Sequence, residues 1–182
     1  MMQRVEVSDE VIMGHVRDGS LSEISILFER YHLRIYNFFF RLTYDMDVSQ
    51  DLTQNLFYRM IKYRASYNSD FTVKSWMFQI ARNLHANFCN QEKRRGEIIL
   101  RTERDPAEIP EEDHMYNEED YLQLDRALGN LSPEQKELLV LSRYQGLKYE
   151  EISEITNQSV PAIKVAIHRA IRQLRRIYFN QV

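Results

Sequence analysis

The stretch Tyr149-Glu-Glu-Ile-Ser-Glu-Ile-Thr-Asn-Gln-Ser-Val-Pro-Ala-Ile-Lys-Val-Ala-Ile-His-Arg-Ala-Ile-Arg172 decides the fold class of this 182-residue chain. Ile152 and Ile155 are spaced as on one face of a short helix, and Ile163, Ile167, Ile171 and Leu174 mark a second, longer one. Between them, Thr156-Asn157-Gln158 leaves room only for a tight turn. Such a turn needs a left-handed residue, and after glycine asparagine is the next best choice. Two helices joined in this way, the second one basic, follow the helix-turn-helix plan. No acid interrupts the stretch between Glu154 and the end of the chain. Lys164, His168, Arg169, Arg172, Arg175 and Arg176 are left for the outer surface, with Ser159, Ala162 and Lys164 at the end where such helices reach base edges.

Upstream, Leu131-Ser-Pro-Glu-Gln135 is a helix start: Ser132 caps, Pro133 fits the first turn and Gln135 completes a capping box. That helix is predicted to run to Gly146. Toward the N-terminus, Val48, Leu52, Leu56 and Met60 step by four, and the spacing predicts a helix from Asp47 to Tyr67 with Asp47 as cap and Gln50 in the capping-box position. A loop over Ala65–Phe71 follows, then a helix from Ser75 to Arg95 on which Trp76, Ile80, Leu84 and Phe88 face the core. Glycine and proline number only 5 and 4, too few for the turns of a many-stranded protein. The class is all-α.

The overall charge of −3 hides a strong pattern. Residues 1–58 carry a net −4, residues 59–95 +6, residues 96–120 −8, residues 121–159 −2 and residues 160–182 +5. Two basic patches thus flank an acidic segment that also holds Pro106 and Pro110. Like charges at that density repel and the prolines interrupt helical hydrogen bonding. The chain reads as two small helical domains, 1–95 and 121–182, joined by a flexible acidic linker over 96–120. Of 21 aromatic residues, 15 lie between Phe28 and Phe88, so the first domain has an aromatic core and a few rings to spare for stacking on bases.

Several classes are excluded. No apolar run approaches the ~20 residues of a membrane helix, and the acidic N-terminus does not read as a secretion signal; a cytoplasmic location without membrane insertion is expected. The single cysteine, Cys89, permits no disulfide framework within the chain and no thiolate-rich zinc site. The five histidines are dispersed, with no metal-binding spacing, phosphate loop or paired nucleophile. His85 and His168 read as surface or DNA-contact residues and Cys89 as a buried helix residue. No catalytic residue, cofactor or metal is expected, and the chain reads as a non-enzyme. The main rival is a one-component helix-turn-helix regulator. It leaves unexplained the basic Asn/Arg surface of the helix ending at Arg95, whose donors and acceptors suit nucleic acid.

Taken in order, Asp51-Leu-Thr-Gln-Asn-Leu-Phe57, Ser75-Trp76, Ile80-Ala-Arg-Asn83, Leu131-Ser-Pro-Glu-Gln135, Tyr149-Glu-Glu-Ile152 and Lys164 with His168-Arg169-Ala170 resemble the extracytoplasmic-function (ECF) sigma factors of bacterial RNA polymerase, within the sigma-70 family. The resemblance covers about Glu23–Arg95 as region 2 and Tyr121–Ile177 as region 4. It implies a subunit that binds core RNA polymerase, recognises the −10 and −35 elements of promoter DNA and promotes melting for transcription initiation. It further implies that Asp51, Gln54, Asn55, Tyr58 and Arg59 dock on the polymerase. Tyr67, Asn68, Ser69 and Asp70 would form the loop capturing a flipped −10 base, and Arg82, Asn83, Asn87, Asn90, Lys93, Arg94 and Arg95 would contact the −10 strand. Ser159, Pro161, Ala162, Lys164, Val165, His168, Arg169 and Arg172 would lie on the −35 recognition helix. Lys148 stands where the family usually has a Ser or Thr cap. Members of the family are usually restrained by an anti-sigma factor, which is therefore an implied partner.

Overall fold

The computed structural model describes residues 7–95, 124 and 127–180; the acidic linker expected over 96–120 lies outside them. Within the first unit, α1 (Asp9–Arg17) begins at Ser8, whose hydroxyl accepts from the Val11 amide at 3.4 Å. Asp9 and Glu10 occupy its first turn and Arg17 its last, as the helix dipole favours. Helix α2 (Ile24–Thr43) buries Leu27, Ile35, Phe38 and Phe39. Phe38 meets Phe39 and Phe78 edge-on, each with ring centroids 5.4 Å apart, an arrangement favoured by the ring quadrupoles.

Helix α2 stops at Tyr44, a non-glycine residue in the left-handed region at φ 53°. The next residue, Asp45, is extended and caps α3 (Met46–Lys62) by accepting from the Val48 amide at 3.1 Å. This corrects the expectation that Asp47 caps the helix and that Gln50 closes a box with it. Because the left-handed turn at Tyr44 ends one helix abruptly, Asp45 is the residue free to adopt the extended cap conformation. Asp47 falls in the first turn instead. Helix α3 also ends earlier than its periodicity predicted: a separate turn of 3₁₀-helix spans Arg64–Ser66. Helix α4 (Val73–Arg95) starts at Thr72, whose hydroxyl accepts from the Ser75 amide at 3.0 Å. Leu84 of its expected core stripe is buried, whereas Trp76, Ile80 and Phe88 are only partly covered, and Met77, Phe78 and Ala81 complete the buried face.

The second unit follows its sequence closely. Helix α5 (Pro133–Leu139) has the full reciprocal box: the Gln135 amide donates to Ser132 Oγ at 3.3 Å and the Ser132 amide to Gln135 Oε1 at 3.0 Å. Its continuation Val140–Tyr144 widens into a π-turn, with the Gln145 amide bonded to Val140 O at 2.9 Å, before Gly146 stops it at φ 59°. Helices α6 (Tyr149–Thr156) and α7 (Val160–Asn180) are separated by a turn in which Asn157 is left-handed at φ 56°. At the start of α6, the Lys148 amide donates to Glu151 Oε2 at 2.7 Å, the half of a capping box that the third helical residue supplies. Ile152, Ile155, Ile163 and Ile167 are buried between α6 and α7.

The two units pack on each other, with α6 against α4 and the π-turn against α2. Arg34 Nη2 donates to Gln145 O at 2.7 Å. The buried Arg41 guanidinium lies 3.7 Å from the centroid of the Tyr144 ring, and Lys136 Nζ lies 3.8 Å from that of Tyr44. Each unit thus places a cation on an aromatic ring of the other.

Candidate nucleic-acid interface

Three polar helix faces emerge from this packing. On α7, Ser159 caps the helix through the Ala162 amide at 3.4 Å. Pro161, Ala162, Lys164, Val165, His168, Arg169, Arg172, Arg175 and Arg176 are all exposed. At 3.6 residues per turn they share an arc of roughly 160°, opposite Ile163, Ile167 and Ala170, which are buried. The −35 residues implied by the resemblance are therefore presented together.

On α4, Asn83, Asn87, Asn90 and Arg94 are exposed and fall within roughly 60° of one another. They form a stripe of groups that both donate and accept hydrogen bonds, ending in a cation. Lys93 is exposed beside it, and Arg95 is the last residue of the helix. Arg82 belongs to the adjoining arc and is engaged, its Nε 3.0 Å from Glu137 Oε2 on α5. The loop before α4 divides in two. Asn68, Ser69 and Asp70 are exposed, with Asn68 Oδ1 accepting from the Asp70 amide at 3.1 Å. Tyr67, expected with them, is buried: its ring packs on Trp76 with centroids 5.2 Å apart, and its hydroxyl donates to Phe71 O at 3.1 Å. Its place in the structure is that of a strut beneath the loop, because a ring at the end of the 3₁₀-turn reaches the gap beside Trp76.

On α3, Asp51, Gln54, Asn55 and Tyr58 are exposed and Arg59 is half-buried, with Arg59 Nε donating to Asn55 Oδ1 at 3.1 Å. Tyr58 leaves 61% of its surface open, an unusual exposure for so large a ring.

The interface between the units is what sequence reasoning missed. Glu137 is held above the usual carboxylate range by burial, a tendency that the neighbouring Arg82 opposes. His85 was expected on the surface or at DNA; instead it is half-buried, 3.5 Å from Cys89 Sγ, and burial together with Lys136 lowers its pKa to about 4. Burial likewise raises the half-buried Cys89 thiol. One signal was present in the sequence: Arg34 and Arg41 stand seven apart, on one face of a helix otherwise crowded with aromatics. Among the described residues, no three His, Cys, Asp or Glu side chains gather as a metal site, and no helix is long and apolar enough to cross a membrane.

The chain matches the family models Sigma-70 region 2 over residues 27–95 and Sigma-70, region 4 over residues 121–174. It is 30% identical to the ECF RNA polymerase sigma factor SigE of Mycolicibacterium smegmatis, covering 94% of this chain and 69% of that protein. It is 26% identical to the RNA polymerase sigma factor YlaC of Bacillus subtilis, covering 84% of this chain and 90% of the other. Among solved structures, it superposes on CnrH in complex with the cytosolic domain of CnrY with a TM-score of 0.74, at 16% identity over 96% of this chain and 99% of the other. It also superposes on the sigma factor RpoE, in complex with the anti-sigma factor NepR from Bartonella quintana, with a TM-score of 0.70, at 21% identity over 84% and 94%. Together the two family models match more than half of the chain, which makes it a member of the sigma-70 family. The chain belongs to the ECF sigma factors of RNA polymerase. It binds core RNA polymerase and promoter DNA for transcription initiation; it is not an enzyme.

Proposed function

We propose that the two DNA-facing surfaces divide the promoter between them: α4 and the Asn68–Asp70 loop take the −10 element as a single strand, and α7 takes the −35 element as duplex. The observation that carries this reading is the contrast between the two faces. The α4 stripe is rich in amides and carries few charges, which suits bases displayed by an unstacked strand. The face of α7 is dominated by cations around a few small residues, which suits phosphates flanking a major groove. In this reading α6, the Asn157 turn and α7 form a helix-turn-helix. Domain 1–95 serves as region 2, domain 121–182 as region 4, and 96–120 as the acidic linker. Tyr67 holds the capture loop in place from below, while Asn68, Ser69 and Asp70 meet the base.

Strand binding offsets the few kcal/mol needed to unstack each base, so melting is a population shift toward the form that α4 binds. The α3 face around Asp51, Gln54, Asn55, Tyr58 and Arg59 supports docking on core polymerase, with Tyr58 as the aromatic anchor. A cytoplasmic location follows from that partnership. The superposition on RpoE, solved with its anti-sigma factor, supports a comparable restraining partner for this chain. The test is permanganate footprinting with core polymerase: Asn83→Ala/Asn87→Ala/Arg94→Ala should reduce open-complex reactivity while core binding persists. Unchanged footprints overturn the α4 assignment.

A further inference from the structure

Charge is unevenly spread along the exposed arc of α7. Its later turns expose His168, Arg169, Arg172, Arg175 and Arg176. Its first two turns instead expose Pro161, Ala162 and Val165, with Lys164 the cation among them. Lys164 stands at one edge of the arc, its Nζ 5.9 Å from the centroid of the Tyr149 ring on α6. Val165 stands near the middle: at 3.6 residues per turn it lies roughly 40° from Pro161 and Arg169 and roughly 60° from Ala162. Its side chain is left 50% open to solvent.

A valine is a poor choice for a helix surface that meets only water, where straight polar side chains have the higher propensity. It is a good choice where an apolar group must be met. Valine in a helix is nearly confined to one χ1 rotamer, so its two methyl groups are held in place before anything binds. The N-terminal turns of a recognition helix are the ones that reach base edges in the major groove. The apolar group displayed there is the C5-methyl of thymine. From this arrangement we propose that Val165 is a specificity-determining residue that reads a thymine methyl group in the −35 element. Pro161 and Ala162 keep the adjoining surface apolar, and the cations on either side hold the phosphates. This deepens the reading of α7 as the −35 helix and rests on it. Cytosine in the same place offers no methyl and sets an amino donor beside the valine, which an apolar side chain covers without satisfying. The arginines thus position the helix, and the valine discriminates.

The experiment uses holoenzyme assembled from the full chain and core RNA polymerase. A duplex is selected from a pool randomised across the −35 window. Each of its thymines there is then replaced in turn by deoxyuridine, which removes the C5-methyl group and leaves every hydrogen-bonding group in place. Binding is read by fluorescence anisotropy. At one thymine the replacement should weaken wild-type binding about fourfold, the effect of burying about one methyl group. In Val165→Ala and Val165→Ser the same replacement should change binding by less than about twofold, because the methyl group has lost its apolar partner. Arg169→Ala/Arg172→Ala should weaken binding of the thymine and deoxyuridine duplexes by the same factor, which leaves their ratio as in wild type. Equal wild-type affinity for thymine and deoxyuridine at every position overturns the proposal, as does a ratio that survives Val165→Ala. Selection of no preferred −35 sequence, or of one without thymine, overturns it too. Binding indifferent to Arg169→Ala/Arg172→Ala overturns the reading of α7 on which the proposal rests. The two failures are distinguishable because the arginine pair reports contact of α7 with the duplex, whereas the thymine-to-deoxyuridine ratio reports only what Val165 touches.

Discussion

The Arg41 guanidinium of α2 lies over the ring of Tyr144, 3.7 Å from its centroid, and the residue is almost wholly buried. A cation removed from water needs such a partner, and a desolvated cation–π contact contributes about 1–2 kcal/mol. A double-mutant cycle with Arg41→Met and Tyr144→Leu should return a coupling energy of about 1 kcal/mol by urea denaturation. Strict additivity would show that the two side chains are merely adjacent.

Asn157 sets the angle between α6 and α7 from a left-handed conformation at φ 56°. Asn157→Ala should destabilise the protein by about 1 kcal/mol, because a Cβ without a side-chain amide is poorly tolerated there, while Asn157→Gly should stay close to wild type. Chemical denaturation of the three proteins checks the order. Loss of −35 duplex binding should accompany the alanine variant if the turn aims the helix.

His85 makes stability depend on pH. Its pKa in the folded chain is about 4, against an ordinary 6.5, through burial first and Lys136 second. The unfolded chain therefore binds the proton more readily. The stability that neutral His85 contributes is fully present above pH 6.5 and is lost as pH falls toward about 4. Glu137 acts in the opposite sense: burial raises its pKa, so its protonation at low pH favours the fold. The difference between wild type and His85→Gln isolates the histidine. Wild type should lose thermal stability more steeply than the variant between pH 6.5 and 4.5, and parallel melting curves across that window would refute the assignment.

The exposed cations of α7 should reveal themselves through salt. Every phosphate that a side chain ceases to neutralise lowers the slope of log binding constant against log salt by about 0.9 on duplex DNA. Arg169→Ala/Arg172→Ala should therefore flatten the slope for a −35 duplex by about 2 and weaken binding of unrelated duplexes equally. A change confined to one sequence would instead make these arginines base readers.

Where a local rule had only one residue to act on, the sequence was sufficient. Ser132 and Gln135 close their box, Asn157 takes the left-handed turn, and the isoleucines of α7 turn its cations outward. Where two residues could satisfy the same rule, neighbours decided. Asp45 and Asp47 are equally good caps in isolation, and the left-handed end of α2 at Tyr44 selected Asp45. Tyr67 could stack outward or inward, and the space beside Trp76 drew it in.

The sequence by itself determined the helices, the two basic surfaces and the family to which the chain belongs, because periodicity, capping and charge order are local properties. Only the tertiary structure decided that Arg82 meets Glu137, that Lys136 meets Tyr44 and that half-buried His85 feels the charge of Lys136. Those pairs are separated by dozens of residues. No local pattern encodes them, since each partner on its own helix is an ordinary polar residue that becomes specific only when two surfaces come together.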